Sequence, residues 1–144
     1  MEYITNFKRA FVANKTLELL SIAGQKSKTT VNVLGVTFKE NCSDTRNSQV
    51  FSIIEHLQKH QLEVKVADPL ADPVAVARDH NVNLVPIDRL PRASVLIIAV
   101  PHNALGEGEA LVARLTNTRG IVVDVKSAYR RAAASRTDLT YWSL

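Results

Sequence analysis

Short β-rich runs, "TVNVLGV", "LEVKVAD", "SVLIIAV" and "GIVVDV", recur along the chain with amphipathic segments between them, and this alternation restricts the fold more than any other feature. The segment "SQVFSIIEHLQKH" puts Val50, Ile53, Ile54 and Leu57 on one face of a helix. A short helix is predicted around Val74 to His80, a small strand at "VNLVPI", and a further helix over Leu105 to Leu115. Strands apolar on both faces are buried on both faces, which requires a parallel sheet with helices packed on either side. The expected fold is α/β, Rossmann-like, preceded by an N-terminal helix over Met1 to Gly24 whose apolar stripe is Ile4, Phe7, Phe11, Leu17, Leu20 and Ala23. Gly24 is a natural stop for that helix.

The polar connector "GQKSKTT" puts a boundary near Thr29, with residues 1–28 as helix and connector and residues 29–144 as the main domain. A chain of 144 residues, 46% of them hydrophobic, has enough apolar side chain for one core. Its net charge of +4 is scattered apart from the pair Arg130 and Arg131, which suits an anionic ligand and gives no clustered stripe for nucleic acid. One cysteine forms no internal disulfide, and the N-terminus does not read as a secretory leader. The longest apolar run, Val95 to Val100, is too short for a membrane span, so a cytoplasmic location is expected.

Open parallel sheets bind ligands beyond the carboxyl ends of their strands, where the strand order reverses. Four groups of residues fall at such ends: Thr37 to Arg46, Asp68, Pro101 with His102, and Asp124 to Ser127. No G-x-G-x-x-G occurs, so a backbone cradle for a dinucleotide pyrophosphate is not expected. Side chains are the alternative: Phe38 as an apolar wall, Lys39 and Arg46 as cations, with a helix starting near Asn47 or Ser48. The competing reading is a solvated loop in which Asp44 and Arg46 pair with each other. Lys126 is the better anion contact at the fourth strand end, against an ion pair with Asp124 or the facing loop. Asp68 is either a ribose-binding acid or, with Pro69 behind it, a turn-former. His102 reads as structural. Cys42, between Lys39 and Arg46, is either an activated thiol or a packed one. His56 and His60 have chelating spacing but no third ligand, so no metal site is expected.

The blocks "LGVTFKENCSDTRNSQV", "VKVADPLAD", "LIIAVPHNAL", "IVVDVKS" and "YWSL" together resemble the C-terminal nucleotide-sugar-binding domain of the UDP-glucose and GDP-mannose dehydrogenase family, and within it the bacterial UDP-N-acetylhexosamine 6-dehydrogenases of surface-polysaccharide synthesis. The resemblance runs from about Val31 to Leu144 and likens Met1 to Gly24 to the end of the helix joining the two halves of such enzymes. It implies two successive NAD-dependent oxidations of a sugar C6 alcohol to a carboxylate through a cysteine-bound intermediate. NAD and the nucleophilic cysteine then belong to a separate N-terminal domain, and the UDP-sugar to this one. Phe38 and Lys39 are implied as substrate contacts, Lys126 as a basic residue facing the substrate, and Arg46, with Asp44 in the same motif, as the group reaching across to the NAD pyrophosphate. Cys42 does not inherit the nucleophile's role, and Ser43 stands where the family usually has proline.

The expectation is thus a substrate-binding half that carries no catalytic residue, binds no cofactor tightly by itself, and partners a UDP-sugar and an NAD-binding domain. A homo-oligomer through the N-terminal helix is a further possible partner. The alternative from another class is a non-catalytic interaction or regulatory module that keeps the fold and docks through that helix.

Overall fold

The computed structural model describes residues 6–24 and 29–144, with the side chains of the first helix from residue 10 onward. The elements are α1 (Asn6–Ile22), β1 (Thr30–Leu34), α2 (Val50–Lys59), β2 (Glu63–Ala67), α3 (Pro73–His80), β3 (Ala93–Ile98), α4 (Gly108–Leu115), β4 (Thr116–Asp124), α5 (Arg130–Ala134) and β5 (Thr140–Ser143). The strands form one all-parallel sheet in the order β2-β1-β3-β4-β5. Order reverses between β1 and β3, so the ligand crevice of such a sheet opens above those two strand ends.

Strand periodicity divides the core in two. Val31 and Val33, Val95 and Ile97, Ile121 and Val123 point to one face, where they meet Val12, Ala13 and Leu20 of α1 and Ile53, Ile54 and Leu57 of α2. Leu34, Leu96, Ile98 and Val122 point to the other, against Leu111, Val112 and Leu115 of α4 and Ala132 of α5. The α/β architecture with helices on both faces is therefore as expected from runs that are apolar at every position.

Three expectations change in detail. The stretch 82–87 forms no strand but a single bridge from Leu84 to Val66, after which Ile87–Arg89 turns as a 3-10 helix. Pro86 has no N–H to extend a ladder. The helix expected over 105–115 is split: Asn103–Leu105 is a 3-10 turn, Gly106 takes φ +90°, and α4 starts at Gly108. The strand expected from Gly120 begins four residues earlier, with a register shift against β3 between Ala93 and Val95. The sequence reading drew no separate elements at α5 and β5.

The stripe of α1 also differs. Val12, Ala13, Thr16 and Leu20 are buried, Leu17 is half-buried, and Phe11 and Ala23 are exposed. Ile4 and the side chain of Phe7 lie outside the described residues. Apolar residues occur almost all round this helix, so periodicity alone could not select the face that docks; contacts with α2 and β4 select it. Phe11 instead meets Trp142 of β5 edge-on, with ring centroids 5.7 Å apart. Gly24 closes the helix with φ +75°, its N–H donating to the Ser21 carbonyl. The boundary near Thr29 adjoins residues 25–28, which are outside the described residues. Among the described residues no helix is long and apolar enough to cross a membrane.

Candidate functional site

The turn out of β1 is made by Gly35. Its φ is +91°, and a Cβ built there would fall 2.5 Å from the Val100 carbonyl oxygen and 2.6 Å from the Val100 Cβ. The glycine therefore lets the ends of β1 and β3 approach each other. Its open side is filled by protein, not available to a phosphate.

Beyond Gly35 the loop is tied to both neighbouring strand ends by buried polar groups. Asp68, at the end of β2, accepts hydrogen bonds from the N–H of Val36 (2.7 Å), Leu70 (2.8 Å) and Ala71 (3.0 Å), and from His102 Nε2 (2.9 Å). Burial alone would raise its pKa, but the bonds from His102, Val36 and Leu70 outweigh that and hold it below the ordinary carboxylate value. His102 follows β3 and is fully buried. Its Nδ1 accepts the N–H of Asn41 at 2.9 Å, which leaves Nε2 as the protonated nitrogen facing Asp68 and, at 3.2 Å, the Thr37 hydroxyl. The Thr37 hydroxyl in turn donates to the Lys39 carbonyl at 2.9 Å. Asn41 sits at φ +61°, a conformation asparagine tolerates, and its side-chain oxygen accepts the Asn103 N–H at 2.8 Å. Asp68 is thus a turn-former and His102 is structural. Sequence reasoning missed Thr37 and Asn41 as members of this knot; the available signal was the position of "TFKEN" directly after a strand end, opposite "VPHN".

A second carboxylate does the same work one strand further on. Asp124, fully buried at the end of β4, accepts from the N–H of Ala128 (3.1 Å) and Tyr129 (2.7 Å) and from the Tyr141 hydroxyl (2.7 Å). Burial and the bond to this carboxylate push the Tyr141 pKa up to about 12. Asp124 does not pair with Lys126. That ammonium lies 3.2 Å from Glu40, a carboxylate of the facing loop.

Between these two anchors lies a narrow cleft lined by Thr37, Phe38, Lys39 and Glu40, by residues 47–50, by Ala99 and Val100, and by Lys126. The ends of β1, β3 and β4 and the start of α2 meet there. Phe38, Lys39 and Lys126 all line this cleft, with Phe38 half-buried and Lys39 exposed. Helix α2 starts at Val50, later than expected: Asn47 has φ +63°, and Ser48 contributes only a 3.4 Å contact from the Val50 N–H. Arg46 and Asp44 do not line the cleft. They pair with each other, Nε to Oδ1 at 3.0 Å and Nη2 to Oδ2 at 3.1 Å, with the arginine side chain 87% exposed. The Asp44 backbone is nonetheless fixed, since its carbonyl accepts the Phe38 N–H at 2.7 Å and closes the loop on itself.

Cys42 is half-buried. His56 and His60 stack on each other, centroids 5.0 Å apart, and His60 Nδ1 lies 3.0 Å from the His56 carbonyl oxygen. Among the described residues no group of three or more His, Cys, Asp or Glu is placed to hold a metal ion.

With this geometry in place, comparison with known proteins gives a consistent result. Residues 32–131 match the family model for the UDP-binding domain of the UDP-glucose/GDP-mannose dehydrogenase family. The chain is 37% identical over 121 residues to Protein CapL of Staphylococcus aureus, covering 84% of this chain and 28% of that protein. It is 35% identical over 72 residues to a UDP-N-acetyl-D-glucosamine 6-dehydrogenase of Salmonella typhi, covering 50% of this chain and 17% of that one. The crystal structure of an NDP-N-acetyl-D-galactosaminuronic acid dehydrogenase from Methanosarcina mazei Go1 shares the fold, with a TM-score of 0.74 at 17% identity over 95% of this chain and 29% of that chain. The sequence thus spans less than a third of the length of the relatives it matches. By its strand-end cleft and its matched residues, the chain belongs to the UDP-glucose/GDP-mannose dehydrogenase family, as a UDP-binding domain.

Proposed function

We propose that this chain holds the UDP part of a nucleotide sugar, of the UDP-N-acetylhexosamine or UDP-glucose type, while an NAD-dependent 6-dehydrogenase oxidises the sugar C6 alcohol to a carboxylate for surface-polysaccharide synthesis. The observation that carries this reading is the convergence of Phe38, Lys39 and Lys126 on one cleft at the strand-order reversal. Phe38 supplies an apolar wall, and the two ammonium groups supply charge for phosphate oxygens.

A dinucleotide does not fit the turn after β1. Gly35 is the only glycine there, and the space left by its missing side chain is taken by Val100. We therefore assign NAD and the nucleophilic cysteine to residues outside this sequence and derive no chemical step from this chain. Its part is to bind and orient. Arg46, exposed on the lip, is proposed to reach the NAD pyrophosphate from across the interdomain cleft. Its bonds to Asp44 use two of its five side-chain N–H donors and leave three for another acceptor. Val12, Ala13 and Leu20 of α1 are covered by α2 and β4 of its own chain, while Phe11 and Ile22 stay exposed, which is all that the interaction-module alternative has to dock through among the described residues.

Calorimetry with UDP tests the reading. Binding is expected for the wild-type chain, and K39A is expected to weaken it about tenfold, the loss of one charge-assisted contact. D72A is the control: Asp72 accepts the Val74 N–H at 3.1 Å as the cap of α3. Its loss is expected to cost about 1 kcal/mol of stability and no UDP affinity. A folded wild-type chain that gives no heat with saturating UDP, or a D72A effect on affinity larger than that of K39A, counts against the site.

A further inference from the structure

The Glu40 carboxylate occupies the position that an anionic ligand would take on Lys126. The two side chains face each other at 3.2 Å across the cleft, each about a quarter exposed, from loops that follow different strands. Burial alone would raise the Glu40 pKa, but its own backbone N–H and the Lys126 ammonium outweigh that and hold it ionised well into the acid range. A phosphate entering this cleft therefore meets a cation already engaged.

We propose that Glu40 is an internal counter-ion which the diphosphate of the nucleotide displaces from Lys126, so that affinity for the phosphorylated ligand is moderated by an exchange of one carboxylate for another anion. This rests on the reading of the cleft as a nucleotide-diphosphate site. The exchange has a physical rationale. Taking a partly buried ammonium out of water carries a desolvation cost, and the Glu40 carboxylate offsets part of it in the free protein. A ligand must then bring enough negative charge to outcompete one carboxylate. A diphosphate does so, and an uncharged nucleoside does not. Glu40 thus moderates affinity by opposing diphosphate binding, whereas Phe38 and Lys39 act by favouring it.

The test is a double-mutant cycle on the 144-residue chain, with UDP and uridine as probes and calorimetry as the readout. E40Q keeps the shape of the side chain and removes its charge; E40A is the second variant, and thermal melts check that each is folded. E40Q and E40A are expected to bind UDP about fivefold more tightly than wild type and to bind uridine no better, and the gain is expected to vanish in the K126M background. If wild type binds UDP and the two Glu40 variants bind it equally or more weakly, Glu40 is a positioning partner of Lys126 and the exchange is wrong, while the nucleotide reading stands. An undiminished gain in K126M also overturns it, since Glu40 would then act through overall charge and not through Lys126. If no folded variant binds UDP, the nucleotide reading fails and the exchange fails with it.

Discussion

The loop between β1 and α2 is built in two ways within a dozen residues. Its inner half, Gly35 to Thr37 with Asn41, is fixed by the end of β2 and the start of the β3 loop: Asp68 and His102 together accept or donate six hydrogen bonds in a space closed to water. Its outer half, with Lys39, Asp44 and Arg46, stands in solvent, where the Arg46–Asp44 ion pair joins residues two apart in sequence, while Glu40 between them pairs with Lys126 after β4. The inner half cannot change without breaking contacts to two strands; the outer half can change partners at little cost. A binding loop needs both, because a charged group positions a ligand only if its backbone is held elsewhere. The knot therefore fixes the loop to the fold, and the lip carries residues proposed for recognition.

The strongest way to break this division is D68A. It strands three backbone N–H groups and the His102 ring at once in a buried site, and we expect a loss of about 3–5 kcal/mol in urea unfolding. G35A is expected to come next, at roughly 2–4 kcal/mol, because its Cβ would overlap the Val100 backbone and because φ +91° is strained for any residue with a side chain. Either variant is also expected to weaken UDP binding, since the lip loses its support. A G35A chain as stable as wild type would mean that the two strand ends are not held in contact.

Much of the knot's scaffold was legible in the sequence, and the reason is periodicity. Runs such as Val95 to Ile98 are apolar at every position, which only a sheet covered on both faces explains, and Asp68 followed by Pro69 has the chemistry of a turn. The lip was legible only as a set of residue types. Arg46 beside Asp44 permits both a ligand contact and a local pair, and spacing does not distinguish them; the structure shows the pair, and its use with a ligand stays a proposal. A pair between Lys126 and the facing loop was one of the alternatives, but Glu40 was not legible as the residue that makes it, because the two are far apart in sequence and meet only through the β1–β3–β4 order. The docking face of α1 was misjudged for a related reason: a helix apolar nearly all round carries no directional signal until its neighbours are known.

A smaller effect separates the knot from the lip by pH. The Asp68 carboxylate has its folded pKa below the ordinary value, so the protein binds fewer protons at this site when folded. Its contribution is therefore present above the unfolded pKa of about 3.9 and is lost as pH falls through the lower folded value. Urea melts of wild type and D68N are expected to differ most near neutrality and to converge below about pH 4. A constant gap across that range would mean that Asp68 acts through shape and not through charge.

The smallest expected effect is the most informative about the lip. Arg46 touches nothing beyond Asp44 among its described hydrogen bonds, and both groups are open to solvent that screens their attraction. R46A is therefore expected to melt indistinguishably from the wild-type chain and to bind UDP with unchanged affinity, since the guanidinium does not line the cleft. If R46A lowers stability measurably, the outer half of the loop is part of the fold and the division between knot and lip fails. If it instead weakens UDP, Arg46 turns inward when ligand arrives, and its proposed place on the far side of the interdomain cleft is wrong. An R46A chain unchanged in both respects shows that neither the fold nor UDP uses the guanidinium, which supports its proposed use on a group that this domain does not itself hold.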